Sequence, residues 1–383
     1  MAKRVGILTA GSDSPGVNAA IRGFGKAITN TYQMELVGIR DGFTGLVENR
    51  TMDLGGSALS GVLTVGGTIL GTSINYPSAM PTDEGKEDKT KAAIATYHKL
   101  GLHALVCIGD RFALEAAYQL SQAGLNIIAI PKAVDNDIPG TDKAIGFDSA
   151  REIATQAIDR LHTTANATHR TMIVELLGDT SGWLTLGAGL AAGADVILIP
   201  EIPYDIDVII RAIQRRQAAG RNFSLIATAE KARSRELVQF LEHSARKKAA
   251  DKASQARELE RIESKYSGQT MLLARRLEES TNLESLITIL GSLVRGGVPT
   301  AADRLLATQL AEWSAWMVAE EQFGRMACRK DGAMNSIALE DVAGKGKPIP
   351  ADHGWIRGAL QLGTCLGVED TTEPFERREL WQS

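Results

Sequence analysis

Between residues 129 and 142 the chain reads AIPKAVDNDIPGTD: an apolar run, then Lys132, then Asp135 and Asp137 on either side of Asn136. In an extended segment, two carboxylates one residue apart face the same way. Such a pair suits a general base acting on a hydroxyl, and it suits a partner for magnesium. The same residues also suit an Asx-rich turn ahead of Pro139-Gly140, in which Asp and Asn serve only backbone hydrogen bonds. The stretch alone leaves both open.

Three further loops carry residues of chemical interest. TAGSDSPGVNAAIRG (9–23) reads as strand, glycine turn and helix. A helix starting near Val17 would offer unpaired N–H groups to an anion, and Gly11, Ser12 and Gly16 would let backbone approach it closely. The segment matches neither GxGxxG nor the Walker pattern, and an ordinary tight turn would look the same. GGTILGTSINYP (66–77) offers Thr68, Thr72 and Ser73 as neutral donors but has no cation before Lys86. That is unusual in a loop meant for phosphates. In AIGFDSAREIATQAIDRLHTTANATHR (144–170), Asp148 or Ser149 can cap a helix. His162 and His169 are not at metal-ligand spacing. Arg170 precedes a strand, from which it reaches either a phosphate or solvent.

These loops must be held by elements that the pattern makes visible. Short β-branched runs recur at 4–11, 61–67, 104–110, 126–131, 171–179, 194–201, 223–230 and 286–291. Helical segments such as 17–29, 89–100, 113–123 and 149–163 lie between many of them. Buried strands alternating with helices predict an α/β protein with mostly parallel sheets covered on both faces. Ligands then gather beyond the C-terminal strand ends. A chain of 383 residues has room for two domains. The net charge of −4 argues against nucleic acid or membrane as the main partner. Cys107, Cys328 and Cys365 lack CxxC spacing, so neither a disulfide framework nor a zinc site is expected. The N-terminus has no long apolar signal core, and a cytoplasmic protein is expected. Residues 231–266 lack Gly and Pro and are densely charged, which predicts one or two long exposed helices. A closing helix is expected within about 350–366.

Six motifs together carry a resemblance: GILTAGSDSPGVNAAIRG, GGTILGTS, PKAVDNDIPGTD, IGFDSA, GWLTLGAGLAAGADVILIPE and RGGVPTAADRLLAT. In this order they resemble the ATP- or pyrophosphate-dependent 6-phosphofructokinases over nearly the whole chain. The resemblance implies two Rossmann-like three-layer domains. The larger, phosphoryl-donor domain would comprise 1–138 and about 295–345. The smaller, sugar-phosphate domain would comprise 139–294 and the C-terminal helix. It implies a glycolytic transferase that uses magnesium and ATP or pyrophosphate to phosphorylate the 1-hydroxyl of fructose 6-phosphate, in a dimer or tetramer. Asp135 matches the catalytic base and Asp137 its acidic neighbour. Gly11, Ser12, Gly109, Asp110 and Lys132 fall on the donor-phosphate side, the lysine being of the kind seen in the pyrophosphate-using and mixed branches. Arg170 matches an arginine that reaches the sugar phosphate, often across a subunit interface; Glu230 matches a sugar-binding glutamate and Arg295 a phosphate-binding arginine of the sugar-phosphate side. Asp110 and Asp137 are the candidate metal carboxylates.

The departures fall in the same loops. Ser12 stands for a glycine, and Ile74 for the arginine of GTSR. Ala133 stands for a threonine. In IGDRFALEA, Arg111 takes the metal aspartate's place and Phe112 a glycine's. Asp179 lies where a positive or neutral group is usual. Leu286 replaces an arginine and Ser292 a histidine or tyrosine. Phosphoryl transfer rests on positioning and charge neutralisation. Each lost charge-assisted bond is worth about 1.5–3 kcal/mol. The expectation is therefore a pseudoenzyme: a family member impaired in catalysis, acting alone or as a regulatory subunit beside an active paralogue, and needing no cofactor. The alternative is a working kinase with an altered site. A dinucleotide-dependent oxidoreductase is disfavoured, because no GxGxxG follows a strand.

Overall fold

The structure, a computed structural model, describes residues 2–55, 57–248 and 268–369. It divides into two compact units, Met1–Ala150 with Leu293–Lys347, and Arg151–Ser292 with Pro348–Ser383. The first unit runs on past residue 138 because the segment after the strand Ile127–Pro131 returns to it. Ala133 N–H donates to the Ile145 carbonyl at 3.1 Å, and Ile145 N–H to the Pro131 carbonyl at 3.1 Å.

The first unit is built on β1 (Arg4–Ala10), β2 (Glu35–Ile39), β3 (Thr51–Asp53), β6 (Leu102–Gly109), β7 (Ile127–Pro131), β12 (Arg325–Lys330) and β13 (Ala333–Ala338), with a small separate hairpin of β4 (Met80–Thr82) and β5 (Gly85–Glu87). The seven strands run in the order β13-β12-β7-β6-β1-β2-β3. The inner pairs are parallel, and β13 and β3 close the edges antiparallel. Alternation along β1 explains the layering. Val5 and Ile7 join the core under helices Val17–Asn30 and Ala301–Ala319, whereas Leu8 and Ala10 join the opposite core under Thr90–Lys99 and Arg111–Gln122. Both faces of the sheet are apolar because both are covered.

The second unit carries β8 (Thr171–Leu176), β9 (Val196–Leu198), β10 (Ser224–Ala229) and β11 (Ser285–Ile289), all parallel, in the order β11-β8-β10-β9. Ile173, Val196 and Ile226 pack there against Ile209, Ile213, Leu273 and Leu277 from helices Ile206–Ala218 and Gln269–Thr281.

Some elements differ from expectation. GVLTVGG (61–67) is a short 3-10 turn, Val62–Thr64, between Gly61 and Gly67 at positive φ, a conformation that a strand cannot hold. The polar hairpin of β12 and β13 had no strand-like run to announce it. The expected charged helices begin with Arg235–Lys248, and residues 249–266 lie outside the described residues. The closing helix is Gly354–Gln361. No helix among the described residues is long and apolar enough to cross a membrane.

Candidate active site

In the first unit the chain leaves β1 toward β2 on one side and later returns to β6 on the other, so the connections diverge between β1 and β6. Ligand crevices open at such points in doubly wound sheets. Gly11 and Ser12 follow β1, Asp110 follows β6, and Lys132 follows β7. The topology alone therefore assembles the donor-side residues.

Asp110 ties two of these strand ends together. Its Oδ1 accepts from Ala113 N–H at 3.1 Å, capping helix Arg111–Gln122, and its Oδ2 accepts from Ser12 N–H at 2.9 Å. Gly11 has φ +83, and a Cβ there would run into this carboxylate. The Gly11 peptide is fixed on both sides: its N–H donates to the Ser73 carbonyl at 2.9 Å, and its carbonyl accepts from Thr72 Oγ1 at 2.6 Å. Ser73 Oγ lies 2.9 Å from Thr44 Oγ1, and Thr68 Oγ1 lies 3.1 Å from Thr9 Oγ1. Thr68, Thr72 and Ser73, expected as donors toward a ligand, are thus spent within the protein. Ile74 projects from the same loop at 69% exposure.

Lys132 is 1% exposed, and its ammonium donates to the Ser12 carbonyl. Burial pushes it down to about 8; Asp110, Asp13 and Asp137 hold it up, and Arg295 opposes them. The lysine, three aspartates and Arg295 thus share one electrostatic neighbourhood. Ala133, beside it, is buried in the core.

Asp135 and Asp137 do not lie on an extended segment, which corrects the expectation from spacing. Asn136 N–H donates to the Ala133 carbonyl at 3.2 Å, making a turn, and Asn136 itself takes φ +51. Asn tolerates this left-handed conformation better than most residues. Its buried amide is clamped: Oδ1 accepts from Ala144 N–H at 2.9 Å and Nδ2 donates to the Asp142 carbonyl at 3.3 Å. The Asx role thus falls to Asn136, which shapes the loop between the two carboxylates. Arg111 Nε stands 3.6 Å from Asp137 Oδ2, with side chains 14% and 15% exposed. The Arg111 guanidinium also lies 4.5 Å from the Phe112 ring centroid, a cation–π arrangement on a half-exposed ring.

In the second unit, Glu230 follows β10, with its N–H donating to the Leu176 carbonyl at 2.9 Å. Although Glu230 as a residue is exposed, partial desolvation raises its carboxyl first; Asp179 and Glu175 add to this, and Lys231 and a Gly178 hydrogen bond oppose it. Asp179, expected to repel a phosphate, faces Lys231 Nζ at 3.6 Å. Glu201 holds the end of the same loop by accepting from Gly182 N–H at 3.0 Å. Arg170 is not brought to this end. It precedes β8, at the opposite end of parallel strands from Glu230, and pairs with Glu284 at 2.6 Å. Leu286 lies near that far end on β11, partly exposed, and Ser292 is exposed in the turn leading to Arg295.

The residues fit a protein-held magnesium poorly. Asp110 spends both oxygens on backbone N–H groups, and Asp137 is paired with a guanidinium. Among the described residues, no group of three or more His, Cys, Asp or Glu could hold a metal ion. Two residues escaped the sequence reading. Asp303 accepts from Gly146 N–H at 3.0 Å and Ser149 N–H at 2.7 Å, securing the start of helix Phe147–Thr168. Lys347 donates to the loop after Asp137 from more than 200 residues along the chain. Lys347 had no local signal; Asp303 follows the cap Thr300 at capping-box spacing, which signals the helix start but not its contacts with Gly146 and Ser149.

The first unit is thus a doubly wound α/β sheet with a Lys–Asp–Asp loop and a carboxylate-tied glycine turn at its switch point. Residues 4–318 match the family described as Phosphofructokinase. The chain is 49% identical over 372 residues, 96% of its length and 100% of the relative's, to a protein of Propionibacterium freudenreichii named ATP-dependent 6-phosphofructokinase. It is 44% identical over 368 residues, 94% of its length and 97% of the relative's, to one of the same name from Spirochaeta thermophila. The structure of a pyrophosphate-dependent phosphofructokinase from Nitrosospira multiformis superimposes with a TM-score of 0.76 at 15% identity, covering 97% of this chain and 93% of that one. The chain belongs to the phosphofructokinase family.

Proposed function

We propose that the chain is an active 6-phosphofructokinase that moves the terminal phosphoryl group of ATP to the 1-hydroxyl of fructose 6-phosphate. The observation that carries this is that the loop of Asp135 and Asp137 keeps cations about it on its own unit: buried Lys132, whose charge interacts with Asp137 and Arg295, and Arg111 beside Asp137. The name ATP-dependent 6-phosphofructokinase, borne by relatives at 49% and 44% identity, supports ATP as donor. Asp135 takes the proton of the 1-hydroxyl as its oxygen bonds to the terminal phosphorus. The bond to the bridging oxygen breaks and ADP leaves. Lys132, Arg111 and Arg295 neutralise the oxygens in flight. Magnesium bound with ATP would add charge neutralisation at the phosphates, and no residue of this chain is assigned to hold it.

The expected losses weigh less beside these contacts. Arg111 replaces a lost cation from another side, and Lys231 offsets Asp179. One observation favours an inactive subunit instead: the Asp110 carboxylate occupies the Ser12 and Ala113 N–H groups, which a phosphate would otherwise meet. A coupled assay for fructose 1,6-bisphosphate, run with ATP and then pyrophosphate, separates the two. Turnover on the order of 1–100 per second with ATP supports the kinase. No turnover with either donor, alongside a thermal shift by fructose 6-phosphate, supports the inactive subunit.

A further inference from the structure

The loop after Asp137 is gripped from two sides of the first unit. On one side is the β12–β13 hairpin. Asp142 N–H donates to the Arg329 carbonyl at 2.7 Å, and the Asp142 carboxylate accepts from Asp331 and Gly332 N–H at 3.2 and 3.1 Å. On the other side is Lys347, whose Nζ donates to the Thr141 carbonyl at 2.7 Å and the Asp142 carbonyl at 2.9 Å. The Asp142 carbonyl is also the acceptor for Asn136 Nδ2 at 3.3 Å. Two donors therefore converge on one oxygen, which links the ammonium to the residue between the two carboxylates.

We propose that Lys347 is a positioning residue for phosphoryl transfer: by holding the Thr141 and Asp142 carbonyls it fixes the loop that seats Asn136, and so sets where the Asp135 carboxylate stands. An ammonium suits the task because it carries several donors on one nitrogen and can hold two carbonyls at once. The charge of Lys347 also interacts with Asp142 and Asp137, although burial, the larger effect, pushes it down to about 8. Misplacing a catalytic group by about 1 Å can cost about 10²-fold in rate.

The kinetic part rests on Asp135 acting as base, so the test has two readouts. Lys347→Met and Lys347→Arg are compared with the wild-type full chain by steady-state kinetics and by amide hydrogen exchange over residues 133–146. Lys347→Met should lower kcat by about 10- to 100-fold while the KM for ATP moves less than about twofold. The Asn136 and Ala144 amides should exchange faster. Lys347→Arg, which can still reach both carbonyls, should recover most of kcat. Unchanged kcat and unchanged exchange in Lys347→Met overturn the proposal. So does a loss of kcat that Arg does not restore while the loop amides stay protected. If Lys347→Met does not fold, Lys347→Gln, which keeps an amide donor, makes the same comparison. A wild type without turnover defeats the kinase reading, and the exchange rates still decide whether Lys347 holds the loop.

Discussion

Arg111 Nε lies 3.6 Å from Asp137 Oδ2, and both side chains are largely shielded from water. The guanidinium thus occupies the neighbourhood in which a phosphofructokinase-like pattern places a carboxylate. Arg111→Ala should lower kcat/KM for ATP by about 10²-fold, the usual effect of removing one preorganised donor. It also leaves Asp137 without this guanidinium. Steady-state kinetics with varied ATP check this; a change below threefold would remove Arg111 from the donor grip.

Asp135→Asn keeps size and shape but cannot take a proton. General-base removal costs about 10²–10⁴ in rate. Here kcat should fall by that amount while a thermal shift by fructose 6-phosphate stays close to wild type. Activity that survives the substitution would assign the base elsewhere.

Gly11→Ala asks a Cβ to enter the Asp110 carboxylate at φ +83. The left-handed conformation alone costs about 1–2 kcal/mol for a residue with a Cβ. Relieving the clash should also break the Ser12–Asp110 bond. Urea unfolding should show lower stability, and the KM for ATP should rise. A variant with wild-type midpoint and KM would mean that the turn relaxes freely.

Lys132 gives a pH test with a definite sign. Burial lowers its folded-state value to about 8, against 10.5 ordinarily. Between those values the unfolded chain holds more protons, so this group makes stability rise with pH across that window. Below about 8 the folded protein carries the full cost, on the order of 3 kcal/mol. Lys132→Met removes the titration and, separately, one bond to the Ser12 carbonyl. From about pH 7 to about pH 10.5, unfolding free energies should shift toward the wild type relative to the variant by that order. A flat difference would show that burial does not depress Lys132.

Much of the fold was readable in the chain. β1, β6, β7, β8 and β10 are largely apolar runs because both of their faces are covered, and glycine, proline or acid ends each one. β12 and β13 were not readable, because an edge hairpin half in water alternates polar residues that look like a loop. Val62–Thr64 was mistaken for a strand because β-branched residues between glycines suit either state, and only the positive φ of those glycines decides.

The chain by itself determined the family, the two-unit α/β plan and the residues that crowd the strand ends, since these follow from local periodicity and from motifs written in short contiguous stretches. Tertiary structure alone decided what those residues do to one another. It set Asp110 against Ser12, Arg111 beside Asp137, Lys231 beside Asp179, and Lys347 under the loop of Asn136. The physical reason is that an ion pair or a shared carbonyl depends on distances of a few ångströms between residues far apart in the chain. Periodicity carries no such information, and only the packed sheet brings those partners within reach.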